Sequence, residues 1–278
     1  IRVSATCGIH GLSRPRNQFR TVAATDGMVM DKQRIVIIGA TSAMAEHCAR
    51  LWVNGRAVDL TLIGRDPAKL ERVATDLRVR SPQSDVRGML ADFLDPDAIR
   101  RTVEAIVANG TPDIVLIAHG SLPEQADCQR DLALCKETLE INGVSPVLFA
   151  EAFAGAMEAA GQGTLAVIGS VAGDRGRRSN YVYGAAKGLV TRYVQGLQHR
   201  LATSGVKVVL IKPGPTATPM TGHLQAKGAR LAPVEDVAKG IVRAIAQGRT
   251  TAYVPGKWGL IMWVIRHLPQ ILFNRLNV

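Results

Sequence analysis

Short apolar runs rich in Val, Ile and Leu recur along the chain, and helical stretches separate them. Runs that are apolar throughout are typical of strands buried on both faces, as in a parallel sheet. Alternation of such strands with helices predicts one α/β domain, a doubly wound parallel sheet flanked by helices. The predicted strands are 34–39, 59–63, 86–91, 113–118, 164–168, 206–211 and 251–254, and the predicted helices are 46–54, 67–80, 95–109, 125–160, 181–203 and 234–247.

The first predicted strand ends in Gly39, and a helix follows after residues 40–45. A strand, a tight glycine turn and a helix form the nucleotide-binding unit of Rossmann-type sheets, in which the pyrophosphate lies at the helix N-terminus. Ala43 and Ala45 stand where later glycines of the motif would be, which narrows the approach of the backbone to a ligand. The predicted cofactor contacts of this turn are Gly39, Thr41, Ser42 and Met44.

The second predicted strand is followed by Gly64, Arg65 and Asp66, at the turn where such folds contact the adenosine ribose. An acidic residue at the strand tip would accept from a free 2′-hydroxyl, whereas a guanidinium pairs with a 2′-phosphate. Arg65 therefore favours NADP over NAD, and the alternative is a surface arginine paired with Asp66. Asp92, after the third strand, is predicted to clamp the adenine edge.

Tyr183-Gly-Ala-Ala-Lys187 lies in a predicted helix, and Ser170 follows the fifth strand. Residues four apart share one helix face. A phenol with its ordinary pKa near ~10 exchanges protons poorly at neutral pH, and a nearby ammonium lowers that pKa by stabilising the phenolate. Ser170 would donate a hydrogen bond to the same substrate oxygen. Taken alone, the Tyr–Lys pair is equally typical of a solvated helix face.

These residues occur in the order and approximate spacing of the short-chain dehydrogenase/reductase family, which the chain resembles across residues 33–256. The resemblance rests on the Gly39 turn, Asp92, Asn142, Ser170, Tyr183, Lys187 and the Pro213-Gly214 segment. It implies that Tyr183 is the catalytic acid–base and that Ser170 orients the carbonyl. It also implies that Lys187 binds the nicotinamide ribose and lowers the pKa of Tyr183.

The same resemblance implies roles for residues around the catalytic pair. Asn142 would hold a helix kink and a water that relays protons to Lys187. The family's usual Asn-Asn-Ala-Gly is here Ile-Ala-His119-Gly120, which leaves the backbone role and Gly120, and His119 is expected to be buried and hydrogen-bonded rather than catalytic. The cofactor contacts implied after the sixth strand are Pro213, Gly214, Thr216 and Thr218.

A narrower resemblance covers residues 170–187 and 264–269, which are similar to the decaprenylphosphoryl-2-keto-erythro-pentose reductases. It implies reduction of a ketone on a polyprenyl-phosphate-linked or nucleotide-linked sugar in cell-envelope polysaccharide synthesis. Arg175, Arg177 and Arg178 lie between Ser170 and Tyr183 and would bind the substrate phosphodiester. The alternative is an exposed basic loop.

The charge of the chain bears on this substrate. The 278 residues carry a net charge of +11 and are 47% hydrophobic, enough for one full α/β core. Only 4% are aromatic and no nucleic-acid-binding motif occurs, so nucleic acid is not a predicted partner. A basic surface facing anionic lipid or a phosphate-bearing substrate accounts for the charge.

Residues 257–278 form an apolar, basic C-terminal tail, with eight consecutive residues from Trp258 that contain no charge. Spanning a bilayer takes about twenty apolar residues, so this tail is too short. Two short helices broken at Pro269, with tryptophan and flanking cations, would suit the membrane interface as a peripheral contact. The alternative is that the tail docks on the core or on a partner subunit.

Residues 1–32 are predicted to be a disordered N-terminal extension, arginine-rich and poor in acids, from an overextended gene start or a transit peptide. The four cysteines have no metal-ligand spacing and indicate a reducing compartment, so we expect no metal and a cytoplasmic protein, with the inner face of the membrane as its alternative location. The family commonly dimerises through the helices corresponding to 125–160 and 181–203, so the resemblance implies a homo-oligomer.

Three functions remain open at this point. The first is an NADP-dependent reductase of the lipid- or nucleotide-linked ketosugar. The second is a general carbonyl or 3-oxoacyl reductase. The third is a non-catalytic nucleotide-sensing regulator, which the complete set of Asn142, Ser170, Tyr183 and Lys187 argues against.

Overall fold

The computed structural model describes residues 32–222, 226 and 228–276. One parallel sheet of seven strands runs in the order β3-β2-β1-β4-β5-β6-β7. The order reverses between β1 and β4, which is the switch point where ligands of doubly wound sheets bind. The predicted fold class is therefore confirmed. The strands are β1 (Gln33–Ile38), β2 (Val58–Gly64), β3 (Asp85–Leu90), β4 (Ile114–Ile117), β5 (Thr164–Ile168), β6 (Lys207–Pro213) and β7 (Thr251–Val254).

The helices connect these strands and cover both faces of the sheet. Asp66 and Asp95 accept backbone N–H groups at the starts of α2 and α3, each of which has proline in its first turn. The helices are α1 (Ala43–Gly55), α2 (Pro67–Arg80), α3 (Pro96–Val107), α4 (Gln125–Arg130), α5 (Leu132–Leu139), α6 (Ser145–Ala160), α7 (Tyr181–Arg200), α8 (Val234–Ala246), α9 (Lys257–His267) and α10 (Gln270–Phe273).

The core lies on both sides of the sheet. Along β1, Ile35 and Ile37 pack into the cluster on one face, and Val36 and Ile38 pack into the cluster on the other. Successive side chains of a strand point to opposite faces, so a central strand covered on both sides must be apolar at every position. This explains why a central strand such as β4, Ile114–Ile117, is a continuous apolar run rather than an alternating one.

The predicted helix 125–160 is wrong as a single element. Asp131 ends α4 and caps α5 by accepting from Ala133 N at 2.8 Å. A π-helical turn, Glu140–Val144, then separates α5 from α6. Such single turns are frequent at functional sites, and this one contains Asn142, where the family resemblance implies a kink.

Two predictions lie at the edges of the described chain. The N-terminal extension falls outside the described residues, except for Lys32. The described helices include none that is long and apolar enough to cross a membrane.

Candidate active site

Loops at the carboxyl ends of β1, β4, β5 and β6 enclose one continuous groove. It consists of two cavities that share Ser42, Met44, His119, Gly120 and Thr218. The sequence-predicted residues that line the groove are Gly39, Thr41, Ser42, Met44, Arg65, Gly120, Asn142, Ser170, Arg177, Tyr183, Lys187, Pro213, Gly214, Thr216 and Thr218. The fold thus brings together residues that are widely separated in sequence.

The β1–α1 turn leaves no room for a side chain at Gly39. Its φ is +81°, and a Cβ there would stand 2.6 Å from the Cβ of His119. The turn is closed by Gly39 N donating to Ile63 O at 2.9 Å and Ser42 N donating to Gly39 O at 3.0 Å. The first turn of α1 therefore faces the groove with its free N–H groups, a geometry that fits a pyrophosphate.

At the far end of the groove, a cavity of about 530 Å³ reaches Arg65 and Lys69 beyond β2. The Arg65 guanidinium lies 5.8 Å from the Phe93 ring centroid. Asp66 faces the same cavity, but its carboxylate caps α2 by accepting from Lys69 N at 3.0 Å. That backbone hydrogen bond lowers the pKa of Asp66. Arg65 and Lys69 supply two cations at this end of the groove, and the carboxylate of Asp66 is already engaged as a helix cap. This arrangement fits the phosphate-bearing end of a dinucleotide.

Asp92 is not among the residues that line the groove. Its carboxylate is exposed and accepts from Leu94 N at 2.8 Å, which closes the turn after β3. Among the described residues of this turn, the buried Phe93 lines the groove instead. The carboxylate is held by its own loop, and its predicted contact with the adenine edge stays a prediction.

His119 is buried and hydrogen-bonded, as predicted. Its Nε2 lies 2.8 Å from Ser145 Oγ, and its ring packs 4.7 Å from Phe93 between ring centroids. Burial lowers the pKa of His119 to about 3, with smaller contributions from the positive charges of Lys187 and Arg65. The imidazole is therefore neutral at physiological pH.

Asn142 ties the π-helical turn to the loop after β4. Its Nδ2 donates to Thr138 O at 2.9 Å, and its Oδ1 accepts from Ser121 N at 2.9 Å. A Cβ at Gly120 would stand 2.6 Å from that Oδ1, so glycine is required for this close approach. The side chain is fully buried and reaches the groove next to Lys187.

Ser170 and Tyr183 both line the groove. Ser170 lies just beyond β5, and its Oγ accepts from Ala172 N at 3.1 Å, which fixes the side chain. Burial raises the pKa of the Tyr183 phenol, and the nearby Ser170 hydroxyl lowers it by less. Both hydroxyls face the same space, where a carbonyl oxygen could accept from each.

Lys187 lies one helical turn beyond Tyr183. Its Nζ is 5.8 Å from the Tyr183 ring centroid and donates to Ile168 O at 3.1 Å. Burial lowers the pKa of Lys187 to about 8. The expected lowering of the Tyr183 pKa is not the net effect, because burial of the phenol outweighs other influences. A phenol with a raised pKa stays protonated and is available as a proton donor.

The three arginines of the 175–178 loop have three different environments. Arg175 does not face the groove: its Nη1 donates to Ile265 O and Leu268 O, each at 2.6 Å, and its Cζ lies 3.8 Å from the Phe273 ring centroid. The prediction that Arg175 binds substrate is wrong, because its donors hold the C-terminal helices. The reason lies some ninety positions away in the sequence, where no local pattern shows it.

Arg177 lies on the wall of the groove, and Arg178 lies outside it. Burial lowers the pKa of Arg177, with Asp174 acting in the opposite direction. Within the described chain, the Nε of Arg177 is buried and has no hydrogen-bond partner. Arg177 and Arg178 both line a further cavity, of about 330 Å³, which lies next to α10 and is not one of the two that form the groove. Of the predicted substrate residues, Arg177 alone is therefore shared by this cavity and the groove.

Trp258, at the start of α9, is a site residue that the sequence did not reveal. A Cβ at Gly214 would overlap its indole ring. The indole therefore packs directly on the Pro213-Gly214 segment of the groove. No motif signals this contact, since it joins a loop to a helix that follows the last strand.

Comparison with known proteins places the chain in one family. The short chain dehydrogenase family model matches residues 33–229. An uncharacterized oxidoreductase of Streptomyces coelicolor is 33% identical over 248 residues, which cover 88% of this chain and 96% of that protein. An uncharacterized oxidoreductase of Mycobacterium tuberculosis is 30% identical and covers 87% of this chain and 96% of its own length.

A solved structure shares the fold. The short-chain dehydrogenase from Sphingobium yanoikuyae in complex with NADPH has a TM-score of 0.72 at 22% identity, covering 85% of this chain and 97% of that one. The chain belongs to the short-chain dehydrogenase/reductase family, and it is an NAD(P)-dependent oxidoreductase.

Proposed function

We propose that this protein reduces a ketone to a secondary alcohol with NADPH, and that Ser170, Tyr183, Lys187 and Asn142 are its catalytic residues. The observation that carries the proposal is that the hydroxyls of Ser170 and Tyr183 and the buried ammonium of Lys187 line one groove. The reduced nicotinamide, when bound, supplies the hydride. The remaining chemistry is proton transfer to the developing alkoxide.

Each of the four catalytic residues has its own part in this proton transfer. Ser170 and Tyr183 hold the carbonyl oxygen by two hydrogen bonds, which favours the charge that develops on it. Tyr183 donates its proton as a general acid. The Lys187 ammonium, 5.8 Å from the ring centroid, stabilises the phenolate that remains. Asn142 holds the helix turn beside Lys187 and orients a water that returns the proton.

We assign NADP rather than NAD as the preferred cofactor. Arg65 and Lys69 line the cavity where the adenosine ribose would lie, and Asp66 caps α2 instead of facing a free hydroxyl. The NADPH complex of the Sphingobium yanoikuyae enzyme is consistent with this choice. Gly39, Thr41, Ser42 and Met44 would hold the pyrophosphate, and Gly120 and the 213–218 segment would hold the nicotinamide.

For the substrate we propose the ketone of a sugar linked to a polyprenyl phosphate or a nucleotide, as in cell-envelope polysaccharide synthesis. The supporting observation is Arg177, a half-buried side chain that lines both the groove and the cavity next to α10 and whose Nε is buried. A phosphodiester would supply the acceptor that its Nε lacks. A polyprenyl carrier stays in the bilayer, so this substrate would require the enzyme at the cytoplasmic face of a membrane.

A homo-oligomer is also part of the proposal. The packed helices α5 and α7 expose Leu139 and Leu189, on the helices that the family uses for subunit contacts. The test is the sedimentation of wild type against Leu189→Glu. A monomeric wild type would contradict the proposed homo-oligomer and would not affect the proposed reaction.

The function is tested by NADPH oxidation with a panel of ketones. The panel contains a polyprenylphosphoryl ketopentose, a nucleotide-linked ketosugar, an acyl-carrier 3-ketoester and a soluble cyclic ketone. We expect turnover of the phosphate-bearing sugars, and a raised KM for them alone in Arg177→Met. Turnover of the ketoester without the sugars would favour a general oxoacyl reductase, and no turnover of any ketone would contradict the function.

A further inference from the structure

The C-terminal helices present an apolar surface to solvent. In α9, Leu260, Trp263 and Val264 follow the i, i+3, i+4 spacing that aligns side chains on one face, and Met262 on the opposite side is fully buried against the domain. This face continues past Pro269 into α10 and the residues after it. Its members, with exposed fractions from 43% to 72%, are Leu260, Trp263, Val264, Ile271, Leu272 and Leu276; we call them the outer face.

The outer face is held in a fixed orientation to the groove. Arg175 binds the carbonyls of Ile265 and Leu268 and stacks on Phe273. The loop that carries Arg175 is itself anchored, since Asp174 accepts from Tyr253 Oη at 2.7 Å and forms a buried ion pair with Lys212. The surface therefore belongs to the same rigid unit as Ser170, four residues before Asp174.

Charge indicates what covers this surface. The sequence has no Asp or Glu after Asp236, while Lys257, Arg266 and Arg275 lie within or next to the two helices. Two copies of the outer face packed together would bring cations against cations without an acid to pair with them. An anionic lipid surface supplies the missing charge, and tryptophan beside lysine and arginine is the composition that membrane interfaces favour.

The cavity beside α10 joins the outer face to the groove. Leu276 belongs both to the outer face and to the wall of this cavity of about 330 Å³. Arg177 belongs both to that cavity and to the groove. An apolar chain with one anionic group near its end would therefore meet apolar side chains first and then the guanidinium of Arg177, whose Nε is buried.

We propose that the outer face docks onto the interface of an anionic bilayer and that the cavity beside α10 receives the phosphate end of a lipid-borne substrate. The docking itself is independent of the reaction, whereas the route through the cavity rests on the proposed function. The partner is a bilayer rich in anionic headgroups, and its contact is the surface of α9 and α10.

The docking is tested by co-sedimentation of the full chain with vesicles of phosphatidylcholine containing phosphatidylglycerol, and with phosphatidylcholine alone. The variant is Leu260→Glu/Val264→Glu, and the matched control is Val79→Glu, at an apolar position on α2 that is 75% exposed. We expect wild type and control to bind the anionic vesicles and the double variant to lose about tenfold or more in partitioning. Brominated lipid should quench wild-type fluorescence, and Trp263→Phe should remove most of that quenching.

Three results would overturn the docking: equal vesicle binding by the double variant, no vesicle binding by wild type, or a wild-type dimer that the double variant converts to a monomer. NADPH oxidation with a soluble ketone separates this proposal from the reaction, because the double variant should keep the wild-type rate. If no ketone is reduced while vesicle binding follows the expected pattern, the docking stands and the proposed function fails. The unfolding midpoint of the double variant is measured as the control for folding. A midpoint equal to that of wild type shows that the double variant is folded, whereas a lowered midpoint with loss of the soluble activity indicates misfolding.

Discussion

The groove and the C-terminal helices depart from the usual distribution of side chains in opposite directions. The groove buries Lys187 and His119, which are 2% and 8% exposed, whereas the helices expose Leu260 and Ile271 to 71% and 72%. Lysine is seldom buried to this extent, and large apolar groups clustered on a surface usually mark a contact. Each arrangement therefore indicates contact with something that is not part of the chain.

The two regions differ in the kind of unfavourable free energy that they contain. In the groove, burial changes protonation: it lowers the pKa of Lys187 to about 8 and that of His119 to about 3. In the C-terminal helices, no titration is involved and the cost is exposed apolar area. Arg175 and Arg177 are only two residues apart, but they belong to different regions. Arg175 holds the C-terminal helices, and Arg177 faces the groove.

If the groove is built for proton transfer, Tyr183→Phe should have the largest effect on the reaction. The variant keeps the ring packing and loses the acid, so ketone reduction should fall by about 10²–10⁴-fold. NADPH affinity, measured by fluorescence titration, should stay near the wild-type value. A variant that reduces ketone at the wild-type rate would remove Tyr183 from the mechanism.

Lys187→Met tests whether the buried ammonium is kept at the expense of stability. A folded pKa of about 8 against an ordinary value of 10.5 corresponds to about 3 kcal/mol of unfavourable burial at neutral pH. We expect chemical denaturation at pH 7 to show a more stable but inactive variant.

The pH dependence gives the sign of this effect. Between about pH 8 and 10.5 the unfolded chain retains the Lys187 proton that the folded protein has lost, so wild-type stability should rise with pH there. The variant should lack this rise. A variant that is less stable at pH 7 and keeps the wild-type slope would contradict the inferred burial cost.

Arg175→Met and Arg177→Met compare the two arginines directly. Arg175→Met removes three charge-assisted hydrogen bonds to the C-terminal helices, and we expect a loss of about 2 kcal/mol in the free energy of unfolding. Hydrogen exchange in α9 should accelerate as well. Arg177→Met should be neutral or stabilising. Equal destabilisation by both changes would mean that Arg177 is also structural.

Arg65→Ala is expected to have the smallest effect, on cofactor choice alone. Loss of one charge-assisted contact to a 2′-phosphate should reduce the ratio of kcat/KM for NADPH over NADH by about tenfold. Lys69→Ala serves as the neighbouring comparison, because the Lys69 side chain lines the same cavity but pairs with Asp66 at 3.5 Å. An unchanged NADPH preference in Arg65→Ala would return NAD to consideration.

The strands and the groove could be predicted from sequence because their signals are local. Most strands contain a short apolar run, and Ser170 and Gly39 follow such runs. Parallel strands of one sheet all end at the same edge, so the motifs converge without any knowledge of tertiary contacts. Tyr183 and Lys187 needed only the helical period.

The errors and omissions arise where a distant partner decides the role of a residue. Arg175 is taken by carbonyls at Ile265 and Leu268, and Trp258 packs on Gly214. The break in 125–160 depends on Asp131 acting as a cap, since an aspartate within a helical pattern does not show whether it ends one helix or lies inside it. The Tyr183 pKa depends on burial that no spacing reports.

The central claim is hydride reduction of a ketone in the groove, and the most direct test is isotope transfer. NADPH deuterated at the reactive C4 position is incubated with wild type and the substrate that the ketone panel identifies, and the alcohol is analysed by mass spectrometry and NMR. We predict one deuterium on the carbinol carbon with wild type and no alcohol with Tyr183→Phe. An alcohol without deuterium at that carbon, or formed equally by the variant, would contradict the account.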